Sequence, residues 1–230
     1  MIRHLFFSAF ISLFAACNKK TSSPVVITPP NTKTYLALGA SYTIGQSVSA
    51  SERFPAQTVS ILRQQGIALA DPVYIAQTGW TTVNLQNAIT TQNPPSTYDV
   101  VSLLIGVNDQ FQGMDTAGYA IRFTQLIEKS IQLAKGNKSN VFVLSIPDYS
   151  VTPFVSSGNK AKVRMEVEWF NTINKRITLA NGVSYTDITP SSREAETNPA
   201  LIASDNLHPS GQEYKKWAEM LAPKITAVLQ

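Results

Sequence analysis

The stretch Tyr35-Leu36-Ala37-Leu38-Gly39-Ala40-Ser41-Tyr42-Thr43-Ile44-Gly45 begins as a short apolar run that reads as a strand. It breaks at Gly39, and a serine follows two residues later. A small-residue turn then gives way to a polar loop and a helix. A serine at the carboxyl end of a parallel strand sits where open α/β sheets bind ligands. A serine in that position also suits an ordinary turn, so its meaning depends on the rest of the chain.

Downstream, strands and helices alternate. The apolar runs at 35–38, 73–77, 100–105, 140–146 and 183–187 read as strands, and three of them are dense in Val, Leu and Ile, as strands buried on both faces should be. Helical periodicity falls at 55–65, which opens on Pro55 and stops at Gly66, and at 82–90, 116–135, 160–180 and 211–229. Pro223 lies inside the last of these and marks a candidate kink. Five strands with intervening helices predict an α/β fold, a five-stranded parallel sheet between two helix layers. Two long segments, 147–159 and 188–204, read as loops on the carboxyl side of strands.

Composition narrows the function. A chain of 230 residues suits one domain with a short appendage, and 43% hydrophobic against 15% charged residues supports a sizeable core. The net charge of +4 is modest, and part of it comes from Arg3, Lys19 and Lys20. No basic stripe with interleaved aromatics is present, which argues against nucleic-acid binding. The one cysteine, Cys17, and the two histidines, His4 and His208, leave no internal disulfide and no cysteine- or histidine-cluster metal site.

Residues 1–17 read as an export signal. Arg3 supplies the positive start, and the apolar run of 5–16 is too short to span a bilayer. Leu13-Phe14-Ala15-Ala16-Cys17 resembles the end of a bacterial lipoprotein signal, in which the cysteine is lipidated, although Phe14 stands where a smaller aliphatic residue is usual. The alternative is an ordinary signal peptide with a chance cysteine. A lipidated Cys17 would place the protein in the bacterial cell envelope as a membrane partner. Residues 18–33, rich in Lys, Thr, Ser and Pro, read as a disordered tether, and the folded domain is expected over 34–230.

With residues 1–20 set aside, any histidine chemistry must use His208. It lies in Asp205-Asn206-Leu207-His208-Pro209-Ser210, and a carboxylate three residues before a histidine can reach the imidazole within one tight turn. There it can hold one ring N–H and leave the other nitrogen free as a base. The plainer alternative is that Asp205 or Ser210 caps the final helix. A second run, Leu103-Leu104-Ile105-Gly106-Val107-Asn108-Asp109, carries a strand into glycine and then an amide, a neutral donor suited to an oxyanion hole or simply to a turn. A third, Ala76-Gln77-Thr78-Gly79-Trp80, offers a glycine N–H past a strand. A parallel sheet would gather the residues that follow its strands on one edge, completing nucleophile, oxyanion donors, base and orienting acid.

These blocks, Gly39-Ala40-Ser41-Tyr42, Thr78-Gly79-Trp80, Gly106-Val107-Asn108-Asp109 and Asp205-Asn206-Leu207-His208-Pro209, resemble those of the SGNH hydrolases, the GDSL-type lipases and esterases, in order and across about 34–229. The resemblance implies a flavodoxin-like α/β/α sandwich and ester hydrolysis without metal or organic cofactor. It implies Ser41 as nucleophile, His208 as base, Asp205 as its orienting acid, and an oxyanion hole made by the N–H groups of Ser41 and Gly79 and the side chain of Asn108. One departure stands out: the family usually carries aspartate where this chain has Ala40. The α/β-hydrolase elbow Gly-x-Ser-x-Gly fits less well, because Thr43 occupies its last position.

The expected substrate is a small ester with a short-acyl, carbohydrate or lipid component. Trp80, Phe111, Tyr149 and Phe154 are candidates for its pocket. A non-catalytic binding protein on the same scaffold, suggested by Ala40, and acyl transfer to a sugar hydroxyl are the alternatives.

Overall fold

The computed structural model describes residues 31–230. The expected signal segment with Cys17, and nearly all of the expected tether, lie outside the described residues. Lys33, assigned to the tether from sequence, is paired into the domain: its N–H donates to Ala68 O at 2.8 Å, and its carbonyl accepts from Ala70 N at 2.8 Å.

Five strands, β1 (Tyr35–Gly39), β2 (Val73–Ala76), β3 (Val100–Leu104), β4 (Val141–Leu144) and β5 (Ser184–Thr186), form one sheet in the order β2-β1-β3-β4-β5. Every pairing is parallel. The three central strands are buried along their whole length, which is why they read as nearly unbroken apolar runs. The edge strand β2 is partly exposed.

Among the described residues, eight α-helices connect or flank the strands: α1 (Ser41–Ile44), α2 (Phe54–Gln64), α3 (Thr82–Gln92), α4 (Val107–Phe111), α5 (Thr116–Leu133), α6 (Lys160–Ala180), α7 (Thr189–Arg193) and α8 (Gly211–Leu229). Helices α2 and α8 pack together on one side, while α5 packs with α3 and α6 on the other. The first layer seats Phe54, Tyr214 and Trp217, all fully buried, with the Tyr214 and Trp217 rings 5.1 Å apart edge to face. Helix α8 runs unbroken through Pro223.

The long segments are more structured than their sequence suggests. Residues 188–204 contain α7 and the 3-10 turns Glu194–Glu196 and Pro199–Leu201. They are pinned from outside: Ser145 Oγ accepts from the Ile188 and Thr189 N–H groups at 2.8 and 3.1 Å. Residues 147–159 are pinned by buried Asp148, which takes Arg193 Nε at 2.8 Å and Arg164 Nε at 3.3 Å. Neither segment has apolar periodicity, so its turns depend on partners distant in sequence.

Candidate active site

The register of the sheet brings three of the sequence blocks side by side. Gly39 at the end of β1 lies opposite Ala76 of β2 and Leu104 of β3. Ser41, Gly79 and Asn108 therefore leave adjacent strand ends. The place is the switch point of a 2-1-3-4-5 sheet, where β1 connects outward to β2 and β3 lies on its other side. Gly39 is required by space. A Cβ there would lie 2.0 Å from Thr43 Oγ1 and 2.4 Å from the Leu104 carbonyl oxygen. Ser41 opens α1, with buried Ala40 at its N-cap making no side-chain cap bond. Aspartate is a favoured cap at such a position, and alanine supplies no acceptor.

On the opposite side, a tight turn presents the histidine. His208 Nδ1 lies 2.6 Å from Asp205 Oδ2, and Asp205 Oδ1 accepts from the N–H groups of Leu207 at 3.0 Å and His208 at 2.9 Å. The turn is closed by Ala203 N–H donating to His208 O at 2.7 Å and Ser210 N–H donating to Leu201 O at 2.8 Å. Asp205 thus holds the imidazole, and Ser210 Oγ donates to Ala200 O at 2.7 Å, so neither side chain caps α8. The Tyr42 ring packs 5.1 Å from the imidazole. Partial burial acts to raise the pKa of Asp205, but hydrogen bonds from Ser47, His208 and the backbone outweigh it and hold the carboxyl well below the ordinary aspartate range.

Gly79 adopts φ +83°, a conformation L side chains rarely take, with open space where a Cβ would be. Asn108, on α4, donates through Nδ2 to Trp80 O at 2.9 Å. Its neighbour Asp109 is fully buried. Asp109 accepts from Thr82 N at 2.8 Å and Thr82 Oγ1 at 2.5 Å, with Arg122 Nη2 at 3.4 Å. This ties the start of α3 to α4 and fixes the turn that carries Asn108.

Ser41, Gly79, Asn108 and His208 line one cavity of about 130 Å³, with Asp205 behind the imidazole. Tyr42, Thr78, Val107 and Leu207 complete its walls with Phe111, Tyr149 and Phe154. Three of the four expected pocket aromatics are therefore present. Trp80 is the correction: it packs against the core and meets the site through its backbone carbonyl. Among the described residues, no group of three or more His, Cys, Asp or Glu side chains is placed to hold a metal ion.

Sequence reading missed Gln46 and Ser47. Ser47 Oγ donates to Asp205 Oδ2 at 2.6 Å, and Thr78 Oγ1 donates to Gln46 Oε1 at 2.6 Å. One segment after α1 thereby ties the serine loop to both the glycine and histidine loops. Ser47 holds φ +66°, unusual for a residue with a side chain. No motif announces it, since its partner is 158 positions away.

A family model, the GDSL-like lipase/acylhydrolase family, matches residues 37–216. The chain belongs to this family. It is a carboxylic ester hydrolase of the SGNH/GDSL type. No curated protein matches this hydrolase. Similar solved structures include TesA, at TM-score 0.63 and 16% identity over 85% of this chain and 99% of that one. Axe2, an acetylxylan esterase from Geobacillus stearothermophilus, gives TM-score 0.63 and 19% identity over 84% and 94%. The lipase/acylhydrolase from Enterococcus faecalis gives 0.64 and 15% over 85% and 96%. At these identities the likeness is one of fold. It matches the five-stranded parallel sheet of this hydrolase.

Proposed function

We propose that this hydrolase cleaves short-acyl carboxylic esters through an acyl-enzyme on Ser41. The observation that carries the reading is His208, held through Nδ1 by Asp205 and lining the same cavity as Ser41, Gly79 and Asn108. With Nδ1 engaged by the carboxylate, Nε2 is the nitrogen left to act as base. In the first step Ser41 Oγ bonds to the ester carbonyl carbon as its proton passes to His208 Nε2. The carbonyl oxygen becomes an oxyanion facing the N–H groups of Ser41 and Gly79 and the Asn108 amide. The carbon–alkoxy bond then breaks, and the alcohol leaves with the proton from His208. Water repeats the sequence on the acyl-serine, releasing the acid and restoring Ser41.

Removing one oxyanion donor costs on the order of 10²–10³ in turnover. Asn108→Ala is expected to lose about that much on 4-nitrophenyl acetate while remaining folded, and Ser41→Ala to lose nearly all activity. Equal turnover by wild type and Ser41→Ala would sink the reading. A fluorophosphonate probe separates the enzyme from a binding protein on the same scaffold: labelling that depends on Ser41 and His208 supports catalysis, and a folded wild type that stays unlabelled favours the binder.

The proposal extends to location. The apolar run ending at Cys17 supports export and lipid attachment in a bacterial envelope, with residues 18–32 as the spacer. Among the described residues no helix is long and apolar enough to cross a membrane. Incorporation of labelled palmitate into wild type but not Cys17→Ala tests the anchor.

A further inference from the structure

We propose that a second cavity beside the catalytic one is the subsite for the alcohol part of the ester, and that this alcohol is a neutral saccharide. The proposal rests on the esterase reading above and names its substrate class. The second cavity is larger, about 380 Å³, and shares Phe111, Tyr149 and Phe154 with the catalytic cavity. The two cavities adjoin at these three side chains, and the alcohol part of an ester held at Ser41 would extend toward the second.

The two spaces differ in chemistry. The catalytic cavity is the smaller of the two, about 130 Å³. That suits the reacting ester and a short acyl group. The larger space is mixed in chemistry. Phe111 and Phe154, 58% and 50% exposed with ring centroids 6.1 Å apart, give it aromatic surface. Gln110, Asn159, Lys162 and Glu166 give it polar surface, beside Val155 and Val163. A long acyl chain laid there would strip water from a carboxylate and an ammonium and return no hydrogen bonds. A sugar ring presents C–H groups to the aromatic surface and hydroxyls to the polar surface.

The polar wall is oriented before any ligand arrives. Tyr149 OH donates to Gln110 Oε1 at 2.7 Å, and Gln110 Nε2 donates to Glu166 Oε2 at 2.7 Å. The second bond uses one of the two Nε2 hydrogens. Burial, only partly opposed by the bond to Gln110, pushes Tyr149 up to about 12. Tyr149 therefore stays a neutral donor at working pH and fixes which end of the Gln110 amide faces Glu166. Glu166 Oε1 lies 3.8 Å from Lys162 Nζ, so the wall offers an acceptor and a donor without net charge. That balance favours a neutral polyol over an anionic or cationic alcohol.

The test compares kcat/KM for a mono-O-acetylated methyl glucoside, cyclohexyl acetate and 4-nitrophenyl acetate, using wild type, Glu166→Gln and Asn159→Trp. Cyclohexyl acetate keeps the ring size and removes the hydroxyls. The sugar ester is expected to exceed cyclohexyl acetate by about tenfold or more, the worth of one or two well-placed hydrogen bonds. The ratio of sugar ester to 4-nitrophenyl acetate should fall at least several-fold in both variants, by loss of the carboxylate in one and by filling of the cavity in the other. Cleavage of 4-nitrophenyl acetate with no preference for the sugar ester, or a ratio unchanged in both variants, overturns the subsite while leaving the esterase reading intact. Faster cleavage of 4-nitrophenyl palmitate than of the acetate also overturns it, because the cavity would then hold an acyl chain. A folded wild type that cleaves none of these esters overturns the esterase reading and the subsite with it.

Discussion

On the serine side of the site, Gly39 sits in register with Leu104 and leaves no space for a side chain, and α1 begins at Ala40 without a side-chain cap. On the histidine side, four hydrogen bonds converge on Asp205, from Ser47 Oγ, Leu207 N, His208 N and His208 Nδ1. The nucleophile is placed by backbone packing and the base by hydrogen bonds to Asp205. Packing is steep in distance, so Gly39 tolerates almost no added volume. The histidine side holds its geometry through hydrogen bonds to one carboxylate and shares the pH dependence of that carboxylate.

Gly39→Ala attacks the packed side directly and should have the largest effect on activity, since it displaces the strand end that carries Ser41. A methyl group 2.4 Å from a backbone oxygen cannot be relieved by a rotamer change. We expect about 3 kcal/mol or more of destabilisation, read as a lower urea midpoint together with loss of activity. An unchanged midpoint would show that the β1–β3 register does not constrain Ser41.

Asp109→Ala is comparable in stability but different in kind. It leaves the largely buried Arg122 without its carboxylate and the buried Thr82 N–H without its acceptor. Breaking such a pair costs about 3–5 kcal/mol. Because Asp109 fixes the turn carrying Asn108, turnover should fall as well. Wild-type stability in this variant would assign the packing of α3 and α4 to apolar contacts alone.

Ser47 sharpens the other half of the contrast. Ser47→Ala deletes the hydroxyl and keeps the Cβ that Ser47 already holds at φ +66°, whereas Ser47→Gly deletes the hydroxyl and relieves that strain. Both should lose roughly 1 kcal/mol of support for Asp205, a several-fold fall in kcat/KM, and the relieved strain should leave Ser47→Gly the more stable of the two variants. The folded pKa of Asp205 lies below its ordinary value, so the stability it contributes is present above about pH 4 and is lost as pH falls through the folded value. Without the Ser47 donor the folded value lies closer to the ordinary one, so the loss should be smaller and complete at higher pH, which acid unfolding followed by circular dichroism detects. Coincident acid transitions for Ser47→Gly and wild type would remove Ser47 from the account.

The smallest expected effect is at Ala40. Ala40→Asp supplies the missing cap acceptor at the start of α1 and should raise stability by about 0.5–1 kcal/mol, with a rise of a few-fold in turnover. A fall in both would mean that burial of the carboxylate outweighs the cap.

Much of this site was legible in the sequence because its chemistry is local. Asp205 and His208 are three residues apart and meet within one turn, and Gly79 and Gly106 are glycines at positive φ, where the backbone itself selects the residue. The helices 160–180 and 211–229 were equally legible, since each has an apolar stripe that must be buried. What stayed hidden depends on distant partners. Trp80 looked like a pocket aromatic, but its side chain belongs to the core. Asp109 looked like one half of a common turn pair, and its buried role exists only because α3 and α5 deliver Thr82 and Arg122 to it.

The order of strands and helices, the serine after the first strand and the acid–histidine turn follow from the sequence alone, because hydrophobic periodicity and short-range spacing encode them. The alignment of Ala76, Gly39 and Leu104 across the sheet, the strap from Gln46 and Ser47, and the second cavity behind Phe111 and Phe154 were decided only in the tertiary structure. Each joins groups from segments far apart in the chain, and such contacts leave no periodic or local signal in the sequence.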